Sequence, residues 1–198
     1  IEEFEADLIK NTISFPVIVK PRCGSASIGI NKTSSIKHLE LLFELYDDLI
    51  IQEYLNGQEY GADCYIDYFT GEPISIFVKK KIRMRSGETD KSISFRDEEL
   101  FHTIKKFAKI LCVKGTIDID IFEINNQWYI SEVNPRFGGG YPHAYECGCN
   151  FPKFILKNLM GETNLSVIGD YKENITMVKY DNLKVLQVDS IVHLTKGK

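Results

Sequence analysis

The chain has 198 residues, 43% of them hydrophobic and 12% aromatic, with a net charge of −4 and no long run of one sign. That is enough apolar material for one sizeable core or two joined lobes, and the balance argues against a dedicated nucleic-acid binder. No apolar stretch reaches the ~18–20 residues that span a membrane, and no signal peptide is visible.

In chain order, IEEFEADLIK (1–10) sets Ile1, Phe4, Leu8 and Ile9 on one side and predicts a short amphipathic helix. FPVIVKP (15–21) is a compact apolar strand ending in Lys20 and Pro21, and RCGSASIGI (22–30) is a small-residue loop leading back into a strand. Ser34 and Ser35 can cap a helix running to about Tyr46, with Ile36, Leu39, Leu42, Phe43 and Tyr46 inward. DLIIQEYL (48–55) reads as a buried strand turned by NGQ, and EYGADCYIDYF and PISIFVKKKIRMR as strands flanking TGE (70–72). Asp97 caps a helix in which Leu100, Phe101, Ile104, Phe107, Ala108 and Leu111 recur at helical spacing.

KGTIDIDIFEI and QWYISEVN predict a hairpin around Asn125 and Asn126. In SEVNPRFGGG (131–140), Pro135 removes a ladder donor and three glycines are expected to loosen the chain. Asn150 caps a helix ending near Gly161, and residues 165–195 hold strand-like pieces such as ITMVKY and LKVLQV. Antiparallel hairpins without regular βαβ units predict an α+β fold. The five scattered cysteines read as reduced thiols of a cytoplasmic protein, and Cys147 and Cys149 lack the second ligand pair of a zinc site.

Several stretches carry charge in patterns that admit chemistry. Asp118 and Asp120 alternate with isoleucines on one face; a three-residue loop at 125–127 would put Asp120 directly across from Glu132. Opposed carboxylates repel unless a cation joins them, so this face is either solvated or a Mg²⁺ site with Asn134 as a third oxygen ligand. GSASIG (24–29) has the length of a P-loop but is followed by INKT, so it is no Walker A motif; it is either a mobile turn or a phosphate cover. Lys20 at a strand end is either a snorkelling surface residue or a contact to an anion. Lys79, Lys81, Arg83 and Arg85 alternate on one strand face, which is either solvated or set opposite an anion.

Taken in order, FPVIVKP, GSASIG, IIQEYLNGQEY, GTIDIDIF and SEVNPRFGGG resemble the ATP-grasp family, with a likeness to the carbamoyl-phosphate-synthase-like branch of carboxylate–amine ligases. The resemblance covers roughly residues 15–160 and implies two α+β lobes, with mainly antiparallel sheets, gripping ATP between them. It implies a small lobe over 15–55, a large lobe with the metal site over 56–163, a β-rich extension over 164–198, and a linker helix over 1–14 from an N-terminal domain that this chain lacks. Lys20 resembles the lysine at the α/β-phosphates under the loop carrying Gly24, Ser25 and Gly29. Gln52, Glu53, Tyr54 and Leu55 look like the hinge at the adenine edge, and Glu59 like the carboxylate for the ribose hydroxyls. Asp120, Glu132 and Asn134 look like Mg²⁺ ligands, and Arg136 is similar to the arginine beside the transferred phosphoryl group. Arg85 joins the nucleotide-binding set, while the spacing leaves open which of Lys79, Lys81, Arg83 and Arg85 meets phosphate. Synthase-type members often carry Gln where this chain has Asp120.

The function this implies is Mg·ATP-dependent activation of a carboxylate or bicarbonate as an acyl phosphate, followed by its joining to an amine or ammonia. ATP and Mg²⁺, with Mn²⁺ as a substitute, are the expected cofactors. The expected partners are small molecules, with a homodimer allowed and neither nucleic acid nor membrane. A phosphotransferase that stops at the acyl phosphate, and a catalytically silent nucleotide sensor, are the competing readings.

Overall fold

The computed structural model describes Phe4 and residues 13–24 and 28–185. The helix expected over 1–10 and Ser25 therefore lie outside the described residues, apart from Phe4, which is helical and packs its ring on Phe15 at 5.5 Å.

Two antiparallel sheets make two lobes. The small one has strands β1 (Val17–Pro21), β2 (Asn31–Thr33) and β3 (Leu49–Glu53) in the order β2-β1-β3, backed by helix α1 (Ile36–Leu45). Val17 and Val19 point into a core with Leu39 and Leu42. The two-residue period then sends Ile18 and Lys20 to the opposite face. Ser35 caps α1 by accepting from the His38 amide, as the sequence predicts. Tyr46, expected inward, is exposed instead; its φ of −136° already leaves the helix, which turns the ring away from the apolar stripe.

The large lobe is built on six strands, β4 (Gln58–Ile66), β5 (Pro73–Arg85), β6 (Glu88–Phe95), β7 (Gly115–Ile124), β8 (Gln127–Asn134) and β9 (Thr176–Val178). They run in the order β8-β7-β4-β5-β6-β9, each antiparallel to its neighbours. Helices α2 (Glu98–Leu111), α3 (Tyr141–Glu146) and α4 (Phe151–Leu159) complete it. Ala62, Cys64, Ile76, Val78, Ile117 and Ile119 pair across neighbouring strands on one face and share a core with Leu100, Phe101 and Ile104 of α2. Burying each such aliphatic chain is worth about 1.5–3 kcal/mol over leaving it exposed.

The same alternation gives the other face its character. Glu59, Gly61, Asp63, Lys79, Lys81, Asp118 and Asp120 fall on it, opposite or diagonal to one another. Segment 138–151 lies over part of this charged face, with the His143 ring 5.0 Å from Phe77 and the Phe151 ring 5.8 Å from Tyr65.

Three features depart from the sequence reading. Residues 88–95, to which it assigns no element, form β6, joined to β5 by a Ser86–Gly87 turn with φ of 52° and 75°. Residues 141–146, between the glycine run and the Asn150 cap, form the short helix α3, for which the sequence reading has no element. Among the described residues of the expected β-rich extension 164–198, β9 is the edge strand beside β6, Tyr171 is buried in the large core, and Leu183–Val185 of LKVLQV form no strand, its remainder lying outside the described residues. Among the described residues no helix is long and apolar enough to cross a membrane.

Candidate active site

Between the lobes lies a cleft of about 1240 Å³, walled by β1 and β3 on one side and by β7, β8 and the β5–β6 hairpin on the other. Lys20, on the outward face of β1, reaches across it, its Nζ 3.3 Å from Glu132 Oε2. Gln52 of β3 also bridges the lobes, donating from Nε2 to the Ser131 carbonyl at 3.1 Å.

The acidic hairpin has the expected partners for an unexpected reason. Its turn is two residues long, Asn125 and Asn126, with φ of 51° and 60°, the pattern of the favoured tight hairpin turn. Ile124 therefore pairs with Gln127 and Ile121 with Ile130, a register that alone would offset Asp120 from Glu132. A β-bulge at Ser131 inserts one residue and restores the opposition of Asp120 to Glu132 and of Asp118 to Asn134. The bulged residue's carbonyl is the one Gln52 holds.

The opposed carboxylates are held by ammonium groups. Lys81 Nζ lies 2.6 Å from both Asp120 Oδ1 and Glu59 Oε1. Burial works against the Lys81 charge, but Asp120 and then Glu59 outweigh it and raise its pKa. Burial likewise opposes ionisation of Glu132, and the Asn134 amide and the Lys20 ammonium outweigh it, holding that carboxyl below its usual range. Three carboxylates (Glu59, Asp120, Glu132) face two ammonium groups (Lys20, Lys81), leaving one negative charge over.

Among the described residues no three Asp, Glu, His or Cys side chains converge as a metal cage. Mg²⁺ seldom uses one: it takes one or two carboxylates and fills its remaining positions with phosphate oxygens and water. Asp120, Glu132 and Asn134 supply such a hard-oxygen set, with the Asn134 amide nitrogen turned to Glu132 Oε1 at 3.1 Å. The donor chemistry and the excess negative charge fit the ion.

Gln52, Glu53, Tyr54 and Leu55, the expected hinge, border the cleft where β3 gives way to β4, and Lys32 stacks its ammonium 3.5 Å from the Tyr54 ring centre. Glu59 borders it too, paired with Lys81 rather than unpartnered. Gly24 lines the cleft; Gly29, with a φ of 76°, turns the chain against Pro21 beside it. Arg136 borders the floor. Arg85 does not belong with them: it pairs with Asp181 at 2.6 Å and with Asp90 at 3.3 Å. Register shifts in β5 between Lys81 and Met84 break the alternation, so Arg83 and Arg85 leave the face that Lys79 and Lys81 share.

Lys81 is the cation of the basic strand that the cleft receives, and the four-residue alternation alone could not single it out. Gly61 makes room for it: a Cβ there would stand 3.1 Å from the Lys79 Cε and 3.2 Å from the Lys81 Cε. Glycines 138–140 serve closeness rather than looseness. None has a positive φ, yet a Cβ would stand 2.5 Å from the Asp118 carboxylate at Gly138, 2.9 Å from the Glu88 carboxyl carbon at Gly139, and 2.9 Å from the Lys79 ammonium at Gly140. His143 is fully engaged behind them, its Nδ1 2.8 Å from Ser92 Oγ and its Nε2 3.0 Å from the Ile175 carbonyl, and burial lowers its pKa. It ties β6, α3 and the tail together.

Comparison with known proteins agrees with this geometry. The sequence profile of a family described as "ATP-grasp in the biosynthetic pathway with Ter operon" matches residues 46–183. A D-alanine–D-alanine ligase of Campylobacter jejuni is 35% identical over 147 residues, 65% of this chain. A carbamoyl phosphate synthase large chain of Agathobacter rectalis is 23% identical over 183 residues, 80% of this chain. The chain spans 42% of the length of that D-alanine–D-alanine ligase and 16% of the synthase chain. Among solved structures, the biotin carboxylase–β-γ-ATP complex of Campylobacter jejuni superposes with a TM-score of 0.68 at 19% identity, covering 84% of this chain and 41% of that one. The N5-carboxyaminoimidazole synthetase of Staphylococcus aureus complexed with ADP does so with a TM-score of 0.65 at 21% identity, covering 82% and 46%. A nucleotide-sized cleft between two antiparallel lobes, a lysine reaching across it to an acidic hairpin, and a profile match over most of the chain have one explanation: the chain belongs to the ATP-grasp family.

Proposed function

We propose that this chain is the nucleotide-gripping part of a Mg·ATP-dependent carboxylate–amine ligase. The observation that carries the reading is the convergence of Lys20 from the small lobe with Asp120, Glu132 and Asn134 of the large lobe at one cleft. ATP would lie with its adenine edge against the hinge Gln52–Leu55 and its ribose toward Glu59. Its phosphates would run between Lys20, Lys81 and the hairpin. Mg²⁺, replaceable by Mn²⁺, would be held by Asp120, Glu132 and Asn134 and would supply charge neutralisation for the phosphates. Phosphoryl transfer needs positioning and charge stabilisation more than covalent help from the protein, and this set of residues offers both.

The reaction runs in two steps. A substrate carboxylate oxygen attacks the γ-phosphorus as its bond to ADP breaks, giving an acyl phosphate. An amine nitrogen then attacks the carbonyl carbon, phosphate leaves, and the nitrogen gives up a proton. Arg136 at the cleft floor would take the oxygens of the transferred group. The curated relatives' names, ligases and a synthase, favour this completed reaction over a phosphotransferase or a silent sensor. All five cysteines are free, which suits a reducing, cytoplasmic setting. One structural neighbour, from Hydrogenobacter thermophilus, is a biotin carboxylase domain dimer with MgADP, so a homodimer is compatible with the fold.

The test uses the full-length protein and a panel of acids and amines, with ADP release as the readout. We expect release that depends on one acid–amine pair and on Mg²⁺. Glu132→Gln should abolish it by at least about a hundredfold while the melting temperature stays near that of the wild type. Unchanged turnover in Glu132→Gln would remove the metal assignment, and no binding of Mg·ATP by calorimetry would remove the reading as a whole.

A further inference from the structure

Asp118 stands on the charged face of β7, between Asp63 of β4 and Asn134 of β8, and neither the metal set nor the phosphate contacts make use of it. Its side chain is 17% exposed, and the Gly138 main chain packs against its carboxylate so closely that no Cβ would fit. The Lys79 ammonium beside it is already bound to Asp63. Among the described residues, the one donor to the Asp118 carboxylate is Arg136, whose Nη1 lies 3.2 Å from Oδ2.

The way Arg136 is tied leaves a defined part of it free. A guanidinium has five N–H donors in a rigid plane: one on Nε and two on each Nη. Nη1 meets both Asp118 and the Phe137 carbonyl, at 3.2 and 3.0 Å, and among the described residues neither Nε nor Nη2 meets an acceptor. The backbone approach is fixed as well, since the Arg136 amide donates to the Asn134 carbonyl at 2.8 Å and the Phe137 ring packs on Tyr141 at 4.6 Å. The unused Nε–Nη2 edge has the fork geometry that receives two oxygens of a carboxylate or a phosphoryl group.

We propose that Asp118 is a positioning residue, which holds the Nη1 corner of Arg136 so that the Nε–Nη2 edge forms a two-pronged seat for an oxyanion at the cleft floor. The seat fits a carboxylate or an acyl phosphate, and the inference rests on the reading of the cleft as a Mg·ATP site. A surface ion pair is usually a weak anchor, but here only the arginine is half exposed (54%), and its partner is walled in. Glu88 also faces this region. Its carboxyl is held below its usual range first by Lys179 and, as a smaller cause, by Arg136, so Lys179 answers that charge directly and leaves Asp118 as the bonded partner of the guanidinium.

The sign of the effect separates positioning from simple charge. Removing a negative charge next to an anion site should tighten anion binding if Asp118 acts only through its field. If it orients the fork, removal should loosen binding. The experiment is calorimetric binding of acetyl phosphate to the full-length protein loaded with Mg·ADP, with Mg·ATP binding measured in parallel. Asp118→Asn should weaken acetyl phosphate about tenfold and leave Mg·ATP within about twofold. Arg136→Lys, which keeps the charge and loses the fork, should weaken acetyl phosphate similarly, and adding Asp118→Asn to it should change nothing more. Tightened or unchanged binding in Asp118→Asn overturns the proposal, as does full affinity in Arg136→Lys or a further loss in the double variant. A wild type that binds Mg·ATP but not acetyl phosphate overturns the oxyanion seat and spares the nucleotide reading. A wild type that binds neither overturns both.

Discussion

Lys79 and Lys81 sit two residues apart on β5, point to the same face and each meet carboxylates, yet they live in different solvents. Lys79 and Asp63 form a one-to-one pair with both side chains 2% exposed, roofed by Gly140. Lys81 is as deep, at 4% exposed, but its partners Glu59 and Asp120 are 29% and 30% exposed and open to the cleft. The first is a closed arrangement, neutral and out of reach of any ligand. The second is an open one, whose carboxylates stay within reach of whatever occupies the cleft. One strand thus supplies both a sealed pair and a cleft-facing one, and what separates them is the roof over the first.

Breaking the closed pair should give the largest effect. Lys79→Met strands Asp63 without a partner, and removing one member of a buried pair costs about 3–5 kcal/mol. Urea unfolding at neutral pH measures it, and a loss below about 1 kcal/mol would mean that water reaches Asp63 and that the roof is not one.

Asp67 offers a second closed carboxylate, satisfied by neutral donors instead of an ammonium. It accepts from the amides of Phe69, Thr70 and Asn164 and from the side chains of Asn158 and Asn164. Burial opposes its ionisation, but those donors outweigh it and hold its pKa well below the usual value. A depressed folded pKa adds stability above the unfolded value of about 3.9, lost as pH falls toward the folded one. Asp67→Asn should therefore lose about 2 kcal/mol at neutral pH and flatten the decline of stability below pH ~4. Parallel acid limbs in the two proteins would show that the network does not favour the charged form.

Opening the second arrangement further should matter least for folding. Lys81→Met leaves Glu59 and Asp120 able to rehydrate, so its loss should be about 1 kcal/mol. It should also make the fold more responsive to Mg²⁺, because two carboxylates lose their internal cation. Thermal melts with and without the ion decide this: a larger Mg²⁺-induced rise in the variant is expected, and equal rises would mean that Lys81 and the metal do not share Asp120.

The parts of the molecule with strong apolar periodicity were legible from sequence. The strand of Val17 and Val19, the helix capped by Asp97, and the isoleucine alternation of β7 all stand where their spacing puts them. β6 was not, because its inward residues Ser92 and Ser94 are polar and buried against polar partners, the Lys172 carbonyl for Ser94 and His143 for Ser92. The only apolar alternation it offers is Ile93 and Phe95 at its end, and both are only partly buried, too short a signal to mark the whole strand. β9 has three residues and exists because β6 offers it an edge. At the hairpin the sequence leaves the register open: the two-residue turn alone would offset Asp120 from Glu132, and the bulge at Ser131 adds the residue that restores their pairing. No local signal marks that bulge; it is stabilised from the other lobe, by Gln52. Residue types and order pointed to the Asp120–Glu132 pairing, whereas the ammonium groups that hold it come from β1 and β5, distant in sequence.

The glycine run 138–140 carries a consequence for how this protein can vary. None of the three has a positive φ, so by that torsion alone the positions look permissive. Yet each abuts a charged group from a different strand: Asp118 of β7, Glu88 of β6 and Lys79 of β5. A stretch without side chains has no rotamers with which to absorb a neighbour's displacement, so any rearrangement of those three charges must be taken up by the main chain itself. Freedom to substitute here is set by the neighbours: it is least at Gly138, which abuts the short, largely buried Asp118 side chain, and greater at Gly139, where the exposed Glu88 side chain can swing aside.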